Sequence, residues 1–518
     1  MKIFLPILIS ILSFNFGYAQ FTNVMISSYN SPNEPSIVID PNNTNTLFAA
    51  TNINNYYVSN DGGETWSINT LSSASYGVWG DPALMFDNDG NMYFFHLSNP
   101  PYPGNWIDRI VCQKSTDNGN TWNDGTYMGL NGTKAQDKEW PIIDRNNGNI
   151  YVTWTEFDQY GSSSPSHKSR ILFSKSTDSG DTWSTALKIN KIDGDCIDAD
   201  NTTEGAVPAV GPNGEIYTAW SGPAGIRFNR SIDYGDTWLA DPILVDTQPT
   251  GWDYGIPDIM RANGFPITLC DLSGGPHHGN IYVNWSDQRN GSNDTDIWFK
   301  KSTDGGDTWS DLKRVNDDPP GKHQFFTWMA IDQTTGFLYT VFYDRRDYSN
   351  SLTDVYLAYS TDGGETFTNL KISETPFLPN SGTFFGDYTN ISAHDGVIRP
   401  IWVSLNSGQL KAWTALIDEE SLFLGVDDID LSVDFSIYPN PSTEETYVSF
   451  KLHETTNISL KIYDISGNLV ASILSGESFD YGKHVITISL EKFNMTSGIY
   501  YYTLQSDKKT QTKKLMIN

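Results

Sequence analysis

Residues 21–418 alternate short apolar runs with turn-forming clusters, and the same order of elements returns seven times. Each unit opens on an apolar strand, passes a turn containing Asp, Asn or Gly, and continues into a strand rich in Tyr, Val and Trp. The copies are 34–52, 81–96, 140–156, 204–221, 258–285, 328–343 and 388–403. Runs of this length between turn residues predict β-strands rather than helices. In the first six units a third strand follows, such as 297–301, then a turn and a short fourth strand, such as 312–315. The seventh unit has a third strand, 410–417, and 23–28 at the N-terminal end is the segment left to complete it. That exchange would remove an exposed sheet edge.

The turn between third and fourth strands carries an octet, Ser-x-Asp-x-Gly-x-Thr-Trp. It starts at Ser59, Ser115, Ser176, Ser231, Ser302 and Ser360, the last copy ending in Phe367. Its aspartates, Asp61, Asp117, Asp178, Asp233, Asp304 and Asp362, lie 55 to 71 residues apart. The carboxylate suits backbone N–H groups a few residues on, and the central Gly supplies φ > 0. The aromatic ring offers area for packing between units. These aspartates therefore read as structural. A four-stranded unit repeated at this period predicts an all-β propeller of six or seven blades, with seven favoured.

Composition narrows the partners. The 518 residues carry a net charge of −29, which repels nucleic-acid phosphates and anionic membranes. Cys112, Cys196 and Cys270 are too few for a disulfide framework, so packing supplies the stability. Residues 1–19 read as a secretory signal: Lys2, an apolar run from Ile3 to Phe14, then Gly17-Tyr18-Ala19. No segment is long and apolar enough to span a membrane. The expected division is a signal peptide over 1–19, a propeller over 20–418, an acidic linker over 419–434 and a small β-sandwich over 435–518. A monomer is expected.

The 435–518 segment contains Tyr438-Pro439-Asn440-Pro441, Tyr463-Asp464-Ile465-Ser466-Gly467-Asn468, Ser497-Gly498-Ile499-Tyr500-Tyr501 and a terminal Lys513-Lys514-Leu515-Met516-Ile517. It closely resembles the type IX (Por) secretion C-terminal sorting domain of Bacteroidetes. The resemblance implies handling by the type IX secretion machinery and release or attachment outside the outer membrane. The octets resemble the Asp-box of BNR-repeat sialidases and related propellers. That resemblance implies a secreted glycan-acting protein, with exo-sialidase-type hydrolysis as first reading. Tyr388 resembles the family's nucleophile and Glu204 its activating base, with Asp81 or Asp108 as acid. Substrate contacts are expected from Arg289, Arg345, Arg346, Asp287, Asp344, Glu156, Trp140 and Trp328, where loops leave second strands or approach first strands.

The sequence departs from that family at three places. Glu34-Pro35-Ser36-Ile37 stands where an arginine motif belongs, Ala219-Trp220-Ser221 lacks a clamp arginine, and residues 52–55 lack an aspartate. Two other readings therefore stay open: a glycan- or protein-binding propeller without catalysis, and a neutral-glycan glycosidase using paired carboxylates. No cofactor is required. Asp193, Asp195, Asp198 and Asp200 have oxygen ligands at spacings compatible with a structural Ca²⁺, or form a solvated acidic loop.

Overall fold

The computed structural model describes residues 21–101, 104–423, 434–452, 455–465, 467–480, 482–493, 495–506 and 510–517. The expected signal peptide and Asp427, Asp428 and Asp430 of the expected linker lie outside the described residues. The chain forms two compact units, divided between Glu419 and Glu420. At the start of the expected linker, Glu419–Phe423 is a short helix.

The first unit is nearly all β and contains seven four-stranded antiparallel sheets. The first sheet illustrates the plan: Ser36–Asp40, Asn43–Thr51, Asn55–Ser59 and Ser67–Thr70 pair in chain order. The first strands of successive sheets lie against one another, and the series returns from Asn390–His394 to Ser36–Asp40. The last sheet borrows Thr22–Ser27, which pairs with Gln409–Asp418. This cyclic order of sheets is consistent with a propeller. Inner strands such as Gly80–Phe86 and Glu204–Val210 are buried along their whole length, which is why they are apolar rather than alternating.

Each octet begins at the last residue of a third strand, and its bonding is local. Asp304 accepts from the Ser302 hydroxyl at 2.7 Å and from the amide and hydroxyl of Thr308 at 2.9 and 2.6 Å. The Gly306 amide donates to Ser302 Oγ at 2.8 Å. The bonds of Thr308 hold the Asp304 carboxyl down to about 2. The octet aromatics reach the preceding sheet: Trp122 on Phe48, Trp183 on Phe95, Trp238 on Phe173, Trp309 on Phe228 and Phe367 on Phe299, with ring centroids 5.1–5.9 Å apart. Turn and inter-sheet seam are thus one device.

The fifth unit departs from the sequence reading. Its first strand is Ile267–Cys270, not a strand starting at Asp258. Residues 253–263 instead make a separate two-stranded hairpin, Asp253–Tyr254 with Ala262–Asn263. That insertion accounts for the longest spacing between octets. All three cysteines are buried free thiols.

The second unit has a three-stranded sheet and a four-stranded sheet, Leu469–Phe479, Thr456–Asp464, Gly498–Ser506 and Thr510–Ile517. Phe435, Val448, Phe450, Ile458, Leu460, Tyr502 and Leu515 share one core drawn from both sheets.

Candidate functional site

Four first strands carry the same irregularity near their start. One extra residue is inserted between Gly80 and Ala83, Asp137 and Trp140, Glu204 and Val207, and Phe325 and Trp328. The first residue inside each bulge has a positive φ: Asp81 at 53°, Lys138 at 54°, Gly205 at 79° and Phe326 at 51°. Bulges of this kind re-aim a side chain and are common beside functional sites. Glu34, at φ 49°, holds the corresponding place ahead of the first sheet. Holding non-glycine residues there costs about 1–3 kcal/mol each, which the surrounding structure has to offset. The seventh sheet has Gly386, where a Cβ would lie 2.7 Å from the backbone nitrogen of Glu34. Only glycine lets that loop approach so closely.

Three of these loops converge on one ammonium. Lys138 Nζ lies 2.9 Å from Asp81, 2.9 Å from Asp387 and 3.7 Å from Glu34. Arg261, from the hairpin insertion, clasps Asp387 through Nε at 2.7 Å and through Nη2, and reaches Asp198 at 3.3 Å. Asn52 donates to Glu34, and its carbonyl oxygen accepts from the Asp81 amide at 2.6 Å. Burial opposes the charge on Lys138, yet Asp81 and Asp387 hold its pKa well above the usual lysine range. Burial would raise Asp387, but Lys138 and Arg261 override it and keep that carboxyl well below its usual range. Glu34 moves the other way, raised by burial and by the neighbouring Asp81. Burial also pushes Asp137 up to about 7.

Glu34, Asp81, Asp137, Lys138 and Arg261 line a cleft of about 160 Å³ together with Trp79, Trp106, Tyr160 and Phe384. Trp79 and Trp106 meet edge to face at 5.9 Å, and Trp106 meets Tyr160 at 6.0 Å. A neighbouring space of about 20 Å³, room for about one water, is lined by Lys138, Asp387, Trp140, Trp328 and Tyr388. The last three rings pack together, with centroids 4.3, 5.3 and 6.0 Å apart. Trp140 and Trp328 stand at the same place after their bulges, and Tyr388 stands two residues after Gly386.

The sequence-derived site residues separate into groups. Asp81 lines the cleft. Tyr388, Trp140 and Trp328 are buried in the ring cluster, and the Tyr388 hydroxyl has no hydrogen-bond partner. Burial raises its pKa well above the usual range, so it is a neutral phenol. Glu204 is buried with neither oxygen bonded, and burial with the nearby Asp198 raises its pKa well above normal. No hydrogen bond joins Tyr388 to Glu204, the residue the resemblance gives as its base. Asp108 is engaged by both Arg109 nitrogens, at 2.7 and 3.0 Å, and by the Ser98 hydroxyl.

Six expected substrate contacts lie outside the cleft lining, five of them in ion pairs. Arg289 joins Asp287 to Asp246 of the preceding sheet. Arg346 binds Asp344 and Asp317, while Arg345 donates to Thr353 and the Pro257 carbonyl. Glu156 accepts from Lys134 and Arg170. At Asp287 and Asp344 the reason is local: an arginine two residues beyond a buried aspartate meets it first. The four expected calcium ligands also fail to converge. Asp193 pairs with Lys188, Asp195 with Thr202, Asp198 with Tyr160 and Arg261, and Asp200 with the Asp253 amide. Among the described residues no group of three or more His, Cys, Asp or Glu is placed to hold a metal ion.

Sequence reasoning missed Asp137, Lys138, Arg261 and the aromatic rim. A signal for Lys138 was present. Glu34-Pro35, Asp81-Pro82 and Lys138-Glu139-Trp140-Pro141 place a charged residue at one point of the repeat, where a structural strand start has no use for charge.

Residues 436–518 match the family model for the secretion system C-terminal sorting domain. This domain marks proteins exported by the type IX system to the cell surface or extracellular space, which places this chain there. No helix among the described residues is long and apolar enough to cross a membrane. No curated protein sequence matches the chain. Solved structures similar to it include an ulvan lyase at 13% identity, covering 77% of this chain and 96% of that one, with a TM-score of 0.47. The NanB sialidase of Streptococcus pneumoniae follows at 10% identity, with coverage of 72% and 83% and a TM-score of 0.42. A Hadza microbial sialidase gives 15%, 72%, 73% and 0.39 in the same order.

Proposed function

We propose that residues 21–418 form a seven-bladed propeller whose central cleft binds and hydrolyses a glycan outside the cell. The observation that carries this is the convergence of Glu34, Asp81 and Asp387 on Lys138 beneath a rim of exposed tryptophans. Aromatic walls with a few convergent polar groups are what sugar recognition uses. Asp137, pushed up to about 7 by burial, keeps its proton to higher pH than an ordinary aspartate and is assigned as the general acid. Asp81, ion-paired with Lys138, is its carboxylate partner. Two carboxyl groups in unequal environments make an acid/base pair for glycoside cleavage.

The neutral-glycan reading is preferred to the sialidase-type one. A sugar carboxylate asks for several arginines, and Arg261 is the arginine that lines this cleft. It already binds Asp387 and Asp198. Binding without hydrolysis is the second reading, favoured by the engagement of Asp81 with Lys138. Release of a reporter group from a panel of neutral glycosides and a sialoside separates the three. We expect turnover of a neutral substrate and a loss of about 10²–10⁴-fold in Asp137→Asn. Binding with no turnover on any substrate leaves the second reading. Sialoside turnover lost in Tyr388→Phe returns the site to the sialidase mechanism.

A further inference from the structure

A second cavity, of about 210 Å³, lies where the loop from the third sheet to the fourth passes residues 222–225. It shares no lining residue with the cleft. Its volume exceeds the ~150 Å³ in which an apolar cavity holds benzene. Much of the lining is apolar: Trp220, itself buried, with Ile192, Pro223 and Pro242. Thr203 brings the one hydroxyl of the lining, and it already donates to the Ile192 carbonyl at 3.3 Å. A ligand carrying many hydroxyls would find few partners for them here.

Arg227 lines the same space. Its Nε donates to the Ala224 carbonyl at 3.0 Å, and Nη1 reaches the Pro242 carbonyl at 3.5 Å. Those bonds fix the guanidinium but leave its charge unmatched. Arg109, Arg170, Arg230, Arg289, Arg314 and Arg346 each pair with a carboxylate. Arg227 pairs with none among the described residues, in a chain with 62 acidic residues against 33 basic ones. A planar guanidinium with N–H donors to spare matches a carboxylate. Lys191 also lines the cavity, in an exposed pair with Asp241. Asp241 opposes a second negative charge on the ligand, so a monoanion fits better than a dianion.

We infer that this pocket binds a small carboxylic acid with an apolar body, an aryl carboxylate of about the size of benzoate. The carboxylate meets the Arg227 guanidinium, and the ring lies among Trp220, Ile192, Pro223 and Pro242. The site does not rest on the reading of the cleft, although one loop serves both. Ile192 and Thr203 line the pocket, and Asp198 between them bonds to Tyr160 and Arg261 at the cleft.

The test is calorimetric titration of the full chain at pH 7 with benzoate, benzamide, acetate, glucuronate and inorganic phosphate. Benzoate should bind at least about tenfold tighter than benzamide, its uncharged counterpart, which is the scale of one charge-assisted hydrogen bond. Acetate, which lacks the ring, and glucuronate, which replaces it with hydroxyls, should bind more weakly still. Arg227→Gln should bring benzoate down to the affinity of benzamide, and Arg227→Lys should keep part of the difference. Ala224→Phe fills the pocket without touching the arginine and should remove binding of both aromatic ligands. Unfolding midpoints close to that of the unaltered chain separate lost binding from lost folding, and if Arg227→Gln does not fold, Ala224→Phe decides. Equal affinity for benzoate and benzamide, or no binding of benzoate, overturns the inference. Acetate, glucuronate or phosphate binding as tightly as benzoate overturns it too, because charge alone is then recognised. A preference for benzoate that survives Ala224→Phe places the binding elsewhere and also overturns it.

Discussion

At the turn after each third strand, Asp61, Asp117, Asp178, Asp233, Asp304 and Asp362 bond to the same Ser and Thr positions. At the start of the first strands, the corresponding residues are Glu34, Asp81, Lys138, Gly205 and Phe326, with positive φ and no common chemistry. The Ser, Asp, Gly and Thr of each octet bond one another within five residues, so the turn repeats unchanged, while the aromatic rings of five octets pack on the preceding sheet. The bulge residues find their partners in other sheets or not at all. Repetition therefore follows self-sufficiency, and the places where the repeat changes its residue are those where groups from several sheets meet.

The strongest way to break this contrast is at Lys138. Replacing it with Met leaves Asp81 and Asp387 buried without their shared cation, a change that costs about 3–5 kcal/mol. Denaturant unfolding should show the loss, and an unchanged midpoint would falsify the central role given to the ammonium. Rescue by Asp81→Asn in the Lys138→Met background would show that the penalty is electrostatic.

A pH profile gives the next effect. Burial raises Asp137 to about 7 in the folded protein, whereas an unfolded aspartate titrates near about 4. The folded state keeps that proton longer, so its contribution to stability is complete below about pH 4 and is lost as pH rises through about 7. Activity that uses the proton should fall over the same upper limb, by about tenfold per pH unit above it. Asp137→Asn should abolish that limb, and a wild-type profile flat from pH 6 to 9 would exclude Asp137 as the acid.

The smallest effects belong to the octets. Thr308→Ala removes one hydroxyl bond to Asp304 and should cost about 0.5–1.5 kcal/mol without changing turnover. The same substitution at Thr65 or Thr182 should cost a similar amount, since their bonds are the same. A substantial loss of turnover at folded concentration in any of them would bring the octets into the chemistry.

Much of this contrast was legible in the chain. The octet is readable because its hydrogen bonds join residues two to four positions apart, so sequence spacing and spatial geometry coincide. The pairing of Thr22–Ser27 with the last sheet followed from counting strands. Asp81 and Trp140 are legible as residues near first strands, and Trp140 packs with Trp328 and Tyr388 in a buried ring cluster. Asp108, Arg289 and Arg346 were misplaced because a partner one or two residues away captures each of them. Arg261 was hidden for another reason. It lies on a hairpin outside the repeat, where the period that organises every other position gives no guidance.

The strand exchange in the last sheet also sets an order of events. Thr22–Ser27 is made before any sheet exists, yet its partner, Gln409–Asp418, is among the last parts of the first unit to be synthesised. Until that partner emerges, the opening strand has to wait unpaired while six other sheets can assemble. The oldest strand of the first unit is thus the last to find its partner, and its last sheet is complete only once residue 418 has been made.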